Sequence, residues 1–174
     1  AATVGMSLGL AGATLQGFMR NPLVDPGVIG VTSSASLGAV LAFYTGFSLA
    51  FPLALPLMGI AGALLCVVLL QGLAGRGGVL TLILAGVAVS AVCAALMSLA
   101  LNLSPNPYAS AEIVFWLMGS VTDRSMDHFL LAAPFMIAGW AMLAASARSL
   151  DALSLGEESA SSLGVNLNRT RALV

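Results

Sequence analysis

An all-α fold, a polytopic bundle of transmembrane helices, is what this sequence predicts, and three observations predict it. Hydrophobic residues make up 59% of the chain and charged residues only 7%, where an ordinary soluble domain carries about 25% charged residues. Mean hydropathy is +1.03. A polar island with two prolines, Leu15–Gly27 (LQGFMRNPLVDPG), interrupts two long apolar segments. So little charge cannot cover a surface in water; two apolar spans joined by a short wet turn suit a bilayer. No segment alternates with period two for long, which argues against a β-barrel.

A spanning helix needs about 20 mostly apolar residues. Five segments qualify: about 1–17, 27–44, 47–73, 79–101 and 129–147. The turn between the first two runs from Arg20 to Gly27. Pro22 and Pro26 bias Asn21 and Asp25 away from helix, and both polar residues can bond nearby backbone. Arg20 reads as an orientation charge, with a pairing to Asp25 that would add only ~0–1 kcal/mol at an exposed site. Pro52 and Pro56 lie near the start of the third span, where neighbouring helices can satisfy freed carbonyls. Between spans four and five, Pro105 and Pro107 break the helix, and a short interfacial helix is expected over 110–118. Ser110 is its expected N-cap, Glu112 suits the positive end of its dipole, and Trp116 suits a membrane interface.

Arginine placement sets the orientation. Arg20, Arg76, Arg148, Arg169 and Arg171 fall on one side of the five-span arrangement, and Arg124 falls on the other. The arginine-rich side is expected to be cytoplasmic. Residues 149–174 then form a cytoplasmic segment. Within it, Ser154 and Glu157 fit a capping box, a helix is expected over 155–163, and Gly164 is placed to end it. Leu155, Ala160 and Leu163 are its few apolar members.

Composition excludes several functions. A net charge of −1 gives no basic face for nucleic acid. With six arginines and no lysine, a phosphate-binding GxxxxGK[ST] loop cannot exist. No nucleophile–base pair or carboxylate pair shares an element, so no catalytic residue is expected. Cys66 and Cys93 lie in apolar runs as small hydrophobes, and His128 beside Asp127 reads as an interfacial polar residue rather than a ligand. No metal and no cofactor is expected. The start Ala-Ala-Thr lacks a basic n-region and does not resemble a signal peptide.

Small residues recur at helical spacing, which lets helices approach closely in lipid. Gly5 and Gly9 form a GxxxG; Gly86, Ser90, Ala94 and Ser98 form a stripe on span four. The stripe serves either close packing or a translocation pathway. No ionisable residue lies deep in a span, unlike the usual proton-coupled carrier.

Five stretches together resemble one family. Gly12–Gly30 (GATLQGFMRNPLVDPGVIG), Ser33–Ala39 (SSASLGA), Leu84–Ala88 (LAGVA), Phe115–Ser120 (FWLMGS) and Leu155–Val165 (LGEESASSLGV) occur in the order found in FecCD-type permeases. These are the permease subunits of bacterial ABC importers for iron–siderophores, haem and vitamin B12. The resemblance implies a permease of about ten spans, of which this chain would be a central five-span fragment. It also implies a second permease subunit (a homodimer or a homologous partner), cytoplasmic ATP-binding subunits and an external solute-binding protein. It places the coupling segment at Leu155, Gly156, Glu157, Glu158, Ala160, Leu163 and Gly164. The gate would lie near Leu80 and Thr81. The alternative class, a proton- or ion-coupled secondary transporter fragment, would need an intramembrane charge or a broken-helix site outside these residues. A scaffold without transport leaves the coupling-like segment unexplained.

Overall fold

In the computed structural model the apolar segments are helices, the one open-chain structure that satisfies its own backbone in lipid. The structure describes residues 1–74, 77–103, 107–121, 125–166 and 170, and among them there is no strand. The elements are α1 (Ala2–Met19), a 3-10 turn (Pro26–Ile29), α2 (Val31–Tyr44), α3 (Phe47–Ala50), α4 (Ala54–Ala74), α5 (Val79–Asn102), α6 (Pro107–Leu117), α7 (Met126–Ser154) and α8 (Glu157–Ser162). Helices α4, α5 and α7 are long and apolar enough to cross a membrane. The chain divides into two compact units, residues 1–26 with 125–174, and residues 27–124.

Several expected boundaries move, each for a local reason. The second span begins at Val31, not Gly27, because a 3-10 turn precedes it and Gly30 takes φ +84. The resulting α2 has 14 residues, about 21 Å at ~1.5 Å per residue, against a hydrocarbon core of about 30 Å. The third span is not continuous. Phe51, held extended (φ −145, ψ 118) ahead of Pro52, separates α3 from α4. Pro56 sits in the first turn of α4, where no intrahelical donor is lost.

The interfacial helix starts at Pro107, so Ser110 lies inside it and is not its N-cap. Proline is the better starter, with φ already helical. Glu112 is accordingly beyond the first turn, which holds no acid. Gly119, at φ +73, follows the helix. Finally, α7 runs past the expected end of span five to Ser154. The stretch Ala144–Ser154 is too polar for a hydropathy reading of a span, yet contains no glycine or proline to stop a helix.

In the unit of residues 27–124, α2 packs against α4 and α5, and against α4 with almost no side chain between the two. A Cβ added at Gly38 would overlap the carbonyl oxygen of Met58. One at Gly62 would overlap the carbonyl oxygen of Ser34. Gly59 is 3.5 Å, measured the same way, from the Ala35 carbonyl oxygen. Such backbone-to-backbone approach is how helices associate where lipid supplies no hydrophobic drive. Cys66, Leu70, Val89 and Cys93 fill one buried cluster beside this contact; Val40, Ala100 and Ile113 fill a second, which ties α6 to α2 and α5. With Ile113 only 1% exposed, α6 is a packed element of this unit.

In the unit of residues 1–26 with 125–174, α1 packs along α7. The Trp140 indole donates to Ser7 Oγ at 3.0 Å across that contact. Gly5 and Gly9 have open space where a Cβ would stand, so their GxxxG mediates no close approach among the described residues. The spacing of a GxxxG can be read along one helix; its partner cannot.

Candidate functional site

The turn after α1 is built by its own side chains. Arg20 N–H donates to the Gly17 carbonyl (3.3 Å) and Asn21 N–H to the Gln16 carbonyl (3.1 Å), the paired bonds of a Schellman ending. Arg20 holds the left-handed position (φ 50, ψ 38) and is the one non-glycine with positive φ among the described residues. An L-residue there gives up about 1 kcal/mol or more. Asn21 Oδ1 accepts from Leu23 N–H at 3.0 Å, and Gln16 Nε2 donates to the Val24 carbonyl at 3.4 Å. The chain then enters the 3-10 turn at Pro26 and Gly27. Pro22 and Asp25 lie in the irregular stretch between, with Asp25 exposed.

The segment after α7 departs from the expected capping box. Ser154 closes α7, and its hydroxyl donates back to the Asp151 carbonyl at 2.6 Å. Helix α8 starts at Glu157 with Gly156 as N-cap and no side-chain bond to it. The reason is competition: α7 propagates through Ser154, so its hydroxyl serves an existing turn instead of starting a new one. The far end has a Schellman ending, with Gly164 N–H to Ser161 O and Val165 N–H to Ala160 O, both 3.0 Å, and Gly164 at φ +82.

The side chains of this segment sort into two sets. Ala160 is fully buried. Leu155 and Leu163 are each 67% exposed, and Glu158 is exposed. Two bare leucines thus flank a polar six-residue helix.

On α5 the small-residue stripe divides in two. Gly86 is buried; a Cβ there would stand 2.8 Å from both Ile29 Cα and the Val28 carbonyl oxygen. A Cβ on Gly30 would stand 2.9 Å from the Gly86 carbonyl oxygen and 3.0 Å from Ser90 Oγ. That Ser90 hydroxyl is buried and has no hydrogen-bond partner among the described residues. Ala94 and Ser98 are exposed, and the Ser98 carbonyl accepts from Asn102 Nδ2 at 2.8 Å. Leu80 is 69% exposed at the start of α5, and Thr81 is exposed beside it. The side chain of Thr81 closes on Gly77, whose Cβ position lies 2.7 Å from Thr81 Oγ1. Arg76 lies outside the described residues, as do Arg124, Arg169 and Arg171.

Buried thiols complete the seam where α2, α4 and α5 meet. Ser34 Oγ and Cys93 Sγ share a hydrogen bond at 3.3 Å, and Cys66 Sγ donates to the Ile29 carbonyl at 3.8 Å. These polar contacts were not legible from the sequence, because they join residues 59 and 37 positions apart. Among the described residues, no three His, Cys, Asp or Glu side chains converge as metal ligands would.

The chain is similar over nearly its whole length to known permeases. It is 37% identical over 176 residues to a cobalamin import system permease protein of Halobacterium salinarum, which covers 99% of this chain and 47% of that protein. It is 39% identical over 172 residues to a molybdate import system permease protein of Haemophilus influenzae, covering 98% and 51%. A solved structure described as an inward-facing conformation of a metal-chelate type ABC transporter superposes with a TM-score of 0.85. That match has 37% identity and covers 98% of this chain and 55% of that one. The chain therefore spans about half the length of the curated relatives it matches. The FecCD transport family model matches residues 1–174. With its all-α bundle and membrane-length helices, this multi-pass membrane protein belongs to the FecCD transport family.

Proposed function

We propose that this chain forms the central part of the permease subunit of an ATP-driven importer. The subunit would sit in the bacterial plasma membrane, the segment after α7 facing the cytoplasm. Its cargo class is an iron–siderophore, haem or cobalamin-type solute. Relatives named for cobalamin and for molybdate are about equally identical to this chain. Similarity therefore supports a metal-bearing solute without choosing one. A second permease subunit would complete the pore, two ATPase subunits would drive it, and an external binding protein would deliver the solute. No catalytic step is assigned to this chain.

The observation that carries the reading is the pair Leu155 and Leu163. Each is two-thirds exposed beside a short polar helix at the end of α7. Burying a fully exposed leucine is worth roughly 1.5–3 kcal/mol, and covering the exposed two-thirds of each of these would contribute roughly 1–2 kcal/mol. That gain supports a contact role for them. We assign Leu155 to Gly164 to a groove on the ATPase subunit. In the full permease, Leu155→Asp with Leu163→Asp is expected to lower uptake at least tenfold. Stimulation of ATP hydrolysis by loaded binding protein should be lost while the permease still inserts. Unchanged uptake and stimulation would overturn the assignment.

The pathway is assigned to the open part of α5. Gly86 and Ser90 are engaged with the turn before α2, whereas Ala94, Ser98, Leu80 and Thr81 carry exposed faces. Cysteines placed at 94 and 98, in a background lacking Cys66 and Cys93, are expected to react with a water-soluble maleimide in at least one transport state. A cysteine at Leu65, exposed in mid-helix on the apolar α4, is the control expected to stay unreactive. Protection of both stripe positions in every state would return the stripe to a packing role.

A further inference from the structure

Two residues with unusual backbones meet in the unit of residues 1–26 with 125–174. One is Arg20, left-handed at the end of α1. The other is Gly156, which joins α7 to α8 at φ 110, ψ 155, a region open only to glycine. The position of a Cβ on Gly156 lies 4.0 Å from Arg20 Nη1. Neither residue needs the other for its own turn. A glycine would close the Schellman ending of α1 with less strain than arginine does. An unfavourable residue in an unfavourable conformation, with its charged end near a second irregular joint, calls for an explanation outside the turn.

Helix polarity supplies it. The last turn of α7 contains no basic residue. Its C-terminal carbonyls carry the negative end of a 29-residue helix. The guanidinium of Arg20, with five donors in a rigid fork, has its Nη1 4.0 Å from the Cβ position of Gly156, two residues past the end of α7. A basic side chain beside a helix C-terminus interacts favourably with its dipole and can bond its last carbonyls.

We propose that Arg20 is a positioning residue for α8: it braces the Gly156 joint, sets the direction in which α8 leaves α7, and so links the end of α1 to the docking segment. The proposal rests on the reading of Leu155 to Gly164 as the ATPase contact. It changes the expectation for Arg20, which charge placement alone assigns to membrane orientation.

The test uses the full-length permease assembled with its ATPase subunits and binding protein in proteoliposomes. The key variant is Arg20→Gly, which keeps the left-handed turn and removes only the side chain; Arg20→Lys keeps the charge on a shorter reach. Arg20→Gly is expected to assemble in normal amount. Solute imported per ATP hydrolysed should fall at least threefold, with partial recovery in Arg20→Lys. Hydrogen exchange at the amides of Ala160, Leu163 and Gly164 should accelerate at least threefold in Arg20→Gly and stay nearer wild type in Arg20→Lys. Unchanged amide protection in Arg20→Gly would overturn the brace whatever transport does. If protection falls in Arg20→Gly while Leu155→Asp with Leu163→Asp leaves transport intact, the brace stands and the ATPase assignment fails. An unaltered transport ratio alongside uncoupling by the leucine pair would overturn the link and leave that assignment standing.

Discussion

Gly38→Val and Gly62→Val are each expected to remove most of the inserted, folded permease. A Cβ at either position falls on a backbone carbonyl oxygen of the facing helix, Met58 or Ser34. Backbone cannot rotate aside as a side chain would. The two helices must move apart, and overpacking of this kind costs ~1–3 kcal/mol or more. Lipid offers nothing to hold separated helices together except the contacts just lost. Helix α2 is the vulnerable partner, because its 14 residues are too short to span alone. We expect at least a fivefold loss of detergent-extractable, monodisperse permease. Gly72→Val is the control on the same helix α4: no atom lies within 4 Å of its Cβ position, and its yield should be unchanged. Normal yield of both variants would show that α2 and α4 do not meet in this way.

Gly86→Ala is expected to open the seam beside Cys66 and Cys93. The added methyl would press on Ile29 Cα and the Val28 carbonyl oxygen, each 2.8 Å away. Ile29 is also the residue whose carbonyl accepts from Cys66 Sγ. Displacing it uncovers a thiol that is 0% exposed, next to Cys93 at 5%. Reactivity follows exposure, so the native cysteines report the event. A membrane-permeant maleimide should label wild type slowly and Gly86→Ala at least tenfold faster. Gly30→Ala should act in the same direction, since it adds strain at φ +84 to a contact of 2.9 Å with the Gly86 carbonyl oxygen. Thiols as protected as in wild type would rule out the seam.

The long helices were legible because hydropathy alone specifies them: α4, α5 and α7 lie where the apolar runs lie. What hydropathy missed is the irregular backbone inside apolar sequence. Val28 and Ile29 read as part of a span, yet they sit in a 3-10 turn ended by a left-handed Gly30. Likewise, Phe51 is apolar but extended. Capping signals misled for a related reason. Ser110 and Ser154 are good caps in isolation, but a proline start at Pro107 and the propagating end of α7 pre-empted them. Gly164, whose role depends on its own φ, could be read directly. The glycine seam could not be. Gly38, Gly59 and Gly62 matter only because α2 faces α4 at that register, whereas the visible Gly5 and Gly9 face open space. The buried Ala160 and the bare Leu155 and Leu163 likewise separate only once the fold sets which side of α8 is covered.

The length of α7 has a mechanical consequence. Its 29 residues make a rod of about 43 Å, at ~1.5 Å per residue, whereas the hydrocarbon core is only about 30 Å thick. Held upright, such a helix would leave roughly a third of its length clear of the hydrocarbon, and α8 follows its C-terminal end. Pro134 interrupts the hydrogen bonding of α7 near its start, and the stretch beyond it, about 30 Å at ~1.5 Å per residue, works as a lever: a tilt of about 10° would sweep its far end by about 5 Å. Small rocking within the bilayer is thereby magnified at the end of α7 that carries α8, and a pull at that end returns to the membrane with reduced travel and greater force.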